Sequence, residues 1–190
     1  MSPPAADWRV EVEEMRAPVE FSWASESARL VGVVAHRWLQ RIAEEGLAAW
    51  SESRVQGLRA RVASELERRG VPEEERADAV AAVLTALSQA LGDERGRWIL
   101  GAHPEAANEM RVQYLDGKRI RLAVMDRVFT TEAGERWVGD YKTGRHEGGG
   151  EEAFLDRERE RYAEQLRRYA RVLNDDRKLG LFFPLVPGWR

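Results

Sequence analysis

The sequence predicts an α/β protein in which a helical front section leads into a small sheet. Two patterns carry that expectation: apolar residues recur at helical spacing up to Gly92, and beyond it they alternate with polar ones. At 190 residues the chain is about the size of one domain and long enough to bury a core. The expected division is a lead-in over 1–24 and one domain over 25–190, with helices over 25–92 and the sheet and its helices over 93–190.

The first helix is expected between Ser25 and Glu45, where Val31, Ala35, Trp38 and Ile42 form a stripe and Gly46 is the stop. Val55, Leu58, Val62 and Leu66 mark a second helix, ended by Gly70, and Pro72 suits the first turn of the next. Val80, Val83, Leu87 and Leu91 mark that third helix. Met110, Val112 and Tyr114 then alternate, Asp116-Gly117 supplies a hairpin turn, and Ile120, Leu122 and Val124 alternate again. A second turn over Thr130 to Gly134 leads into a strand from Arg136 to Lys142, completing a three-stranded meander. The Gly- and Glu-rich segment from His146 to Glu152 reads as a mobile connection to a long arginine-rich helix ending at Leu173. Leu179 to Val186 closes the chain with a strand, and Pro184 puts that strand at a sheet edge or at its own terminus.

Composition narrows the chemistry. No cysteine is present, which excludes disulfides, thiol nucleophiles and cysteine-ligated metal centres. No apolar run approaches the roughly 20 residues of a membrane span. Met1 to Glu14 is acidic and lacks a secretory pattern, so a cytoplasmic location is expected. The formal net charge of −3 is unlike that of a stand-alone nucleic-acid binder, so either nucleic acid is not the ligand or a partner delivers it.

Asp140 and Lys142 lie two apart on a strand, so both side chains share a face with their backbones about 7 Å apart. A turn centred near Ala133 places Asp126 opposite Asp140. A first hairpin centred on Asp116-Gly117 brings Glu109 close to Val124, one step from Asp126 on the same face. Asp126 continues the Ile120, Leu122, Val124 face and so breaks an apolar alternation where a buried charge needs compensation. Clustered carboxylates without thiolates favour Mg2+ or Mn2+, and such ions suit phosphodiester hydrolysis. In that chemistry Lys142 orients the attacking water or stabilises developing charge on phosphorus.

The run "VMDRVF…WVGDYKTG…YAEQLRRYA" resembles the PD-(D/E)xK nuclease motifs of RecB- and AddA-type helicase-nucleases in the order and spacing of its parts. Upstream, "WASESARLVGVVAHRWLQRIAEEGLAAW" looks like the helical entry of that family, and "GRWILGAHPEAANE" like the stretch ending at its first acidic residue, here Glu109. The resemblance implies a restriction-endonuclease-like core, a small mixed sheet flanked by helices. It implies that Asp126 and Asp140 bind metal with the Tyr141 carbonyl and His36 as further ligands, and that Lys142 is catalytic. Gln165 and Tyr169 match the family's Q-x-x-x-Y motif, an i, i+4 pair on one helix face suited to positioning DNA. Ala123 departs from the glycine often found three residues before the hairpin aspartate. The implied activity is metal-dependent DNA cleavage coupled to a UvrD-like helicase motor in double-strand break processing. No P-loop occurs in this chain, so that motor would lie elsewhere.

Blander readings stand beside these. Taken alone, an Asp-x-Lys on a strand is more often a surface ion pair, and a lone histidine such as His36 is more often structural than a ligand. Trp38, Trp50 and Trp98 suit packing better than base stacking, His103 and His146 have no support as ligands, and Tyr162 packs beside Leu166 and Tyr169. The arginines from Arg157 to Arg171 suit a DNA-facing stripe or a solvated, salt-bridged face equally. Two rival functions remain at this point: a catalytically weak DNA-end or subunit docking module, and a nuclease that needs no motor.

Overall fold

A computed structural model of the chain describes residues 23–143, 151–173, 176–185 and 188–189. The expected lead-in, apart from its last two residues, and all but the end of the Gly-rich connection lie outside the described residues, as does Val186.

The front section is helical. Helix α1 spans Trp23–Glu45 and buries Leu30, Val31, Val34, Ala35, Trp38, Leu39 and Ile42, a wider face than the four-residue stripe predicted. The second expected helix is two helices, α2 (Glu52–Gln56) and α3 (Arg59–Arg68), parted at Gly57-Leu58. Val55, Val62 and Leu66 face one core across this break, so the apolar spacing alone does not reveal it. At Gly70 the backbone takes φ +90°, and Val71 donates to the Leu66 carbonyl at 3.0 Å, closing α3 with a reverse turn open to glycine. Pro72 then caps α4 (Glu73–Gly92), whose first turn carries Glu73, Glu74 and Glu75 against the positive end of the helix dipole.

A further helix, α5 (Glu94–Leu100), was not expected from the sequence. Its signal is local: the Asp93 side chain accepts from the Gly96 N–H at 2.7 Å, an N-cap placed one residue after α4 ends. Gly96 is buried at this junction, where a Cβ would meet the Ala90 carbonyl oxygen at 2.3 Å and Phe182 at 2.9 Å.

The sheet has five strands in the order β1-β2-β3-β4-β5: β1 (Ala107–Asp116), β2 (Arg119–Thr130), β3 (Arg136–Tyr141), β4 (Lys178–Phe183) and β5 (Gly188–Trp189). The first three form the expected antiparallel meander. Parallel pairing of β3 with β4 needs a crossover, supplied by α6 (Glu151–Leu173). Pro184 sits in the turn after β4, the strand terminus that its missing N–H requires, although β4 itself is flanked on both sides. The helical front packs on one face of the sheet through Phe129, Tyr141 and Phe182. Helix α6 covers the other through Leu155, Leu166 and Tyr169, set against Met125, Val138, Leu181 and Phe183.

Register corrects the sequence reading at the first hairpin. Asp116 pairs with Arg119, so the turn residues are Gly117-Lys118, with Gly117 at φ +63°. This moves the ladder by two relative to the expected pairing, and Glu109 stands level with Asp126 rather than with Val124. On either side of that level Asn108 pairs with Arg127 and Met110 with Met125. The face assignment changes with it. Ala123 and Met125 are buried beneath α6, whereas Ile120, Leu122 and Val124 are only half-buried. At Asp126 the alternation changes phase: Val128 then faces α6 and Phe129 the front helices. Glu109 across from it has φ +49°, a left-handed backbone that costs a non-glycine residue roughly 1–3 kcal/mol.

Arg127 locks this irregular stretch. It is 2% exposed and its guanidinium donates to the Ile99 carbonyl (3.1 Å), the Gly101 carbonyl (2.7 Å) and Asn108 Oδ1 (2.8 Å). The end of α5, whose last carbonyls lack helical partners, is thereby tied to β1 and β2.

Replacing Gly96 by alanine must displace backbone at the α4–α5 junction rather than a side-chain tip. Gly96→Ala is expected to lower unfolding stability by at least about 2 kcal/mol. Equilibrium urea denaturation measures this, and an unchanged midpoint would refute the tight junction.

Candidate active site

Four elements converge where β2 and β3 meet. The ladder pairs Arg127 with Gly139, so the next level outward holds Asp126 and Asp140, as the second turn predicts. Asp126 Oδ2 accepts the Tyr141 backbone N–H at 2.7 Å and lies 3.4 Å from His36 Nδ1 on α1. The His36 ring meets the Tyr141 ring edge-on at 5.7 Å. One turn earlier on α1, a Cβ at Gly32 would come within 2.8 Å of Thr143 Oγ1, so the missing side chain lets the chain leaving β3 pass close to the helix.

Asp140 and Lys142 turn toward α6, although β3 ends at Tyr141 and Lys142 lies just past the strand. Lys142 Nζ is 2.5 Å from Asp140 Oδ2, a close ion pair with a buried carboxylate. The same ammonium donates to Gln165 Oε1 at 3.3 Å. Gln165 Nε2 in turn donates to the Tyr169 hydroxyl at 2.5 Å, and that hydroxyl donates to the Val124 carbonyl at 2.8 Å. The Q-x-x-x-Y pair therefore joins Lys142 to β2 through one continuous chain of hydrogen bonds.

Charge states follow from this packing. Burial pushes Asp140 up and the neighbouring Asp126 charge pushes it further, to about 6, against the pull of Lys142. For Asp126 burial also acts upward, but the His36 cation, the Tyr141 N–H and Lys142 outweigh it and hold the carboxyl below its usual range. Burial depresses His36 and Lys142, and Asp126 and Asp140 respectively overcome this, so both stay more basic than usual. The Tyr141 phenol is pushed up, chiefly by burial, with Asp126, Asp140 and Glu109 adding to the effect.

Of the residues singled out in the sequence, Asp126, Asp140, Tyr141, Lys142, His36, Gln165 and Tyr169 are joined by these contacts, and Glu109 stands level with Asp126 on the neighbouring strand. Among the described residues no three His, Asp or Glu side chains converge at metal-ligand spacing; Asp126 is engaged with the Tyr141 N–H and Asp140 with Lys142. The donor set nonetheless suits a hard divalent cation: two carboxylates on neighbouring strands, one of them buried, and an imidazole. Sequence reasoning assigned no role to Tyr162, whose ring lies under the Lys142 ammonium at 4.0 Å. Its position three residues before Gln165, on the same helix face, was the available signal.

A family model described as the PD-(D/E)XK nuclease superfamily matches residues 6–182. The chain belongs to the PD-(D/E)XK nuclease superfamily. No curated protein matches the chain. Members of this superfamily are typically metal-dependent nucleases. Met125, one residue before Asp126, is fully buried among the residues under α6.

Asp140 has its pKa raised, so its contribution to stability in metal-free protein is present below its ordinary value and is lost as pH rises through about 6. The shift already contains the attraction of Lys142, so a neutral isostere is favoured above that pH. In EDTA, Asp140→Asn is expected to melt a few degrees higher than wild type at pH 7.5, with the difference vanishing toward pH 4. A lower melting temperature for the variant at pH 7.5 would show that the ionised pair is net stabilising.

Proposed function

We propose that the chain is a metal-dependent DNA nuclease of the RecB/AddA type, cutting strands that a UvrD-like helicase motor feeds to it during double-strand break processing in the cytoplasm. The observation that carries this reading is the Asp126, Asp140, Lys142 cluster tied to Gln165 and Tyr169. Its order and spacing match the motifs of those helicase-nucleases. The acidic net charge of −3 supports delivery of DNA by a partner, since phosphate attraction by this chain alone is weak.

In this reading Asp126, Asp140, the Tyr141 carbonyl and His36 hold Mg2+ or Mn2+, with Glu109 adjacent. The cation supplies charge neutralisation at a phosphodiester and lowers the pKa of water. The residues of the chain do the rest. Lys142, held charged by Asp140, presents an ammonium to the water or to the negative charge growing on phosphorus. Gln165 and Tyr169 fix the direction of that ammonium through their chain of hydrogen bonds to the Val124 carbonyl. The Asp126 carboxylate is fixed in direction by the Tyr141 N–H, so no reorganisation is needed as charge develops.

Purified protein is expected to cleave linear single-stranded DNA in Mg2+ or Mn2+ and not in EDTA. Lys142→Ala and Asp140→Ala should lose at least about a hundredfold in rate. Circular substrate separates the modes: resistance indicates an exonuclease, cutting an endonuclease. Folded wild-type protein that cuts nothing in any metal would favour the docking role or an obligatory motor.

Metal binding has its own readout. Mg2+ or Mn2+ should raise the melting temperature of wild type and leave that of Asp140→Asn nearly unchanged. Equal rises in both would remove Asp140 from the ligand set.

A further inference from the structure

Lys142 is carried on a four-carbon stem whose rotamer freedom opposes any single geometry. Three groups oppose that freedom from different directions: Asp140 Oδ2 at 2.5 Å, Gln165 Oε1 at 3.3 Å and the face of the Tyr162 ring at 4.0 Å from centroid to Nζ. Tyr162 and Gln165 are i, i+3 neighbours on α6, so one helix turn supplies two of the three. An ammonium over an aromatic face is attracted by the ring quadrupole, and more strongly where water is thin. The Lys142 side chain is 15% exposed.

Packing alone does not account for the ring. Tyr162 touches the cluster beneath α6 only as a half-buried neighbour, while Leu155, Leu166 and Tyr169 form its buried floor. The other cation near the ring, Arg161, is farther away at 5.5 Å and is paired with Glu158 at 3.5 Å.

We propose that Tyr162 is a positioning residue of the site, its ring face pinning the Lys142 ammonium between Asp140 and Gln165. The role rests on the reading of Lys142 as the catalytic lysine and extends it to a residue outside the motif letters. The ring, not the hydroxyl, does the holding, so Tyr162→Phe retains it and Tyr162→Leu removes it. Tyr162→Met, which refills the space with a flexible chain, serves if the leucine variant folds poorly.

Two measurements separate this from a structural role and from failure of the nuclease reading. The chain has three lysines, Lys118, Lys142 and Lys178, so 15N-lysine labelling gives a sparse NH3+ spectrum. At low temperature and slightly acidic pH, a held ammonium exchanges slowly enough to give a cross-peak, assigned here by its loss in Lys142→Arg. Wild type and Tyr162→Phe should show it, and Tyr162→Leu or Tyr162→Met should not. In cleavage assays, the ring-less variants should lose roughly tenfold in kcat with KM little changed, and Tyr162→Phe should stay within about twofold of wild type. A cross-peak that persists without the ring, or is absent from wild type, overturns the proposal whether or not the protein cuts DNA. So does a phenylalanine variant as impaired as the leucine one. Wild-type protein that cuts nothing while the NH3+ signals behave as expected favours the docking role or an obligatory motor and leaves the positioning of Lys142 by Tyr162 standing.

Discussion

Two aspartates on adjacent strands repel one another in a place where water is scarce, and much of the molecule is arranged around that repulsion. Asp126 is met by a backbone N–H and by His36, and Asp140 by Lys142. The partners come from opposite sides of the sheet, His36 from the front helices and the Gln165 and Tyr162 that hold Lys142 from α6. The sheet cannot present such a pair alone, because a regular ladder would leave two carboxylates facing each other without donors. Its phase change at Asp126, opposite a strained Glu109, supplies the needed reorientation. Strain of this kind persists only where neighbours enforce it, and Arg127, one residue on, binds the stretch to the end of α5 through three hydrogen bonds.

The position of α6 follows from topology. Strands β3 and β4 run parallel, so the chain leaving the carboxyl end of β3 must cross the sheet, and α6 makes that crossing. Asp140 and Lys142 stand at that end of β3. The amphipathic face of α6 buries Leu155, Leu166 and Tyr169, and on the same side it delivers Tyr162 and Gln165 to the lysine. One element thus closes half of the core and the polar half of the site, so its packing and the geometry of Lys142 are not independent.

Much of this was legible in the chain. The front helices, the meander, the second hairpin register and the facing of Asp126 and Asp140 follow from periodicity and turn chemistry, which are local. What escaped was decided by contacts distant in sequence or by a single residue of turn placement. The break at Gly57-Leu58 leaves the apolar spacing intact, and α5 is too short for periodicity, so only the Asp93 cap announces it. A turn placed one residue early shifts a ladder by two, which moved Glu109 away from its true level beside Asp126. The phase change in β2 breaks the alternation that the reading relied on, so the half-buried face of Ile120, Leu122 and Val124 was taken for the core face. Tyr162 was seen and set aside because a tyrosine beside Leu166 on a helix is ordinarily packing; its cation is brought in by β3, 20 residues earlier in number, and no local pattern records that.

The arginines of α6 bear on how a strand of DNA would reach this site. Arg159 lies 3.8 Å from Asp156, Arg161 3.5 Å from Glu158, and Arg167 and Arg171 share Glu164 at 3.8 and 2.6 Å. These are exposed pairs, worth little to stability. Their effect on the field is larger: each glutamate or aspartate neutralises the charge that would otherwise make the helix an electrostatic track. Of the two readings of this stripe, the salt-bridged face is the one formed. A phosphate backbone would have to displace those carboxylates to use the arginines, so attraction at long range is weak while the charge of Lys142 is local. A site built this way discriminates by what is placed in it rather than by what it draws from solution.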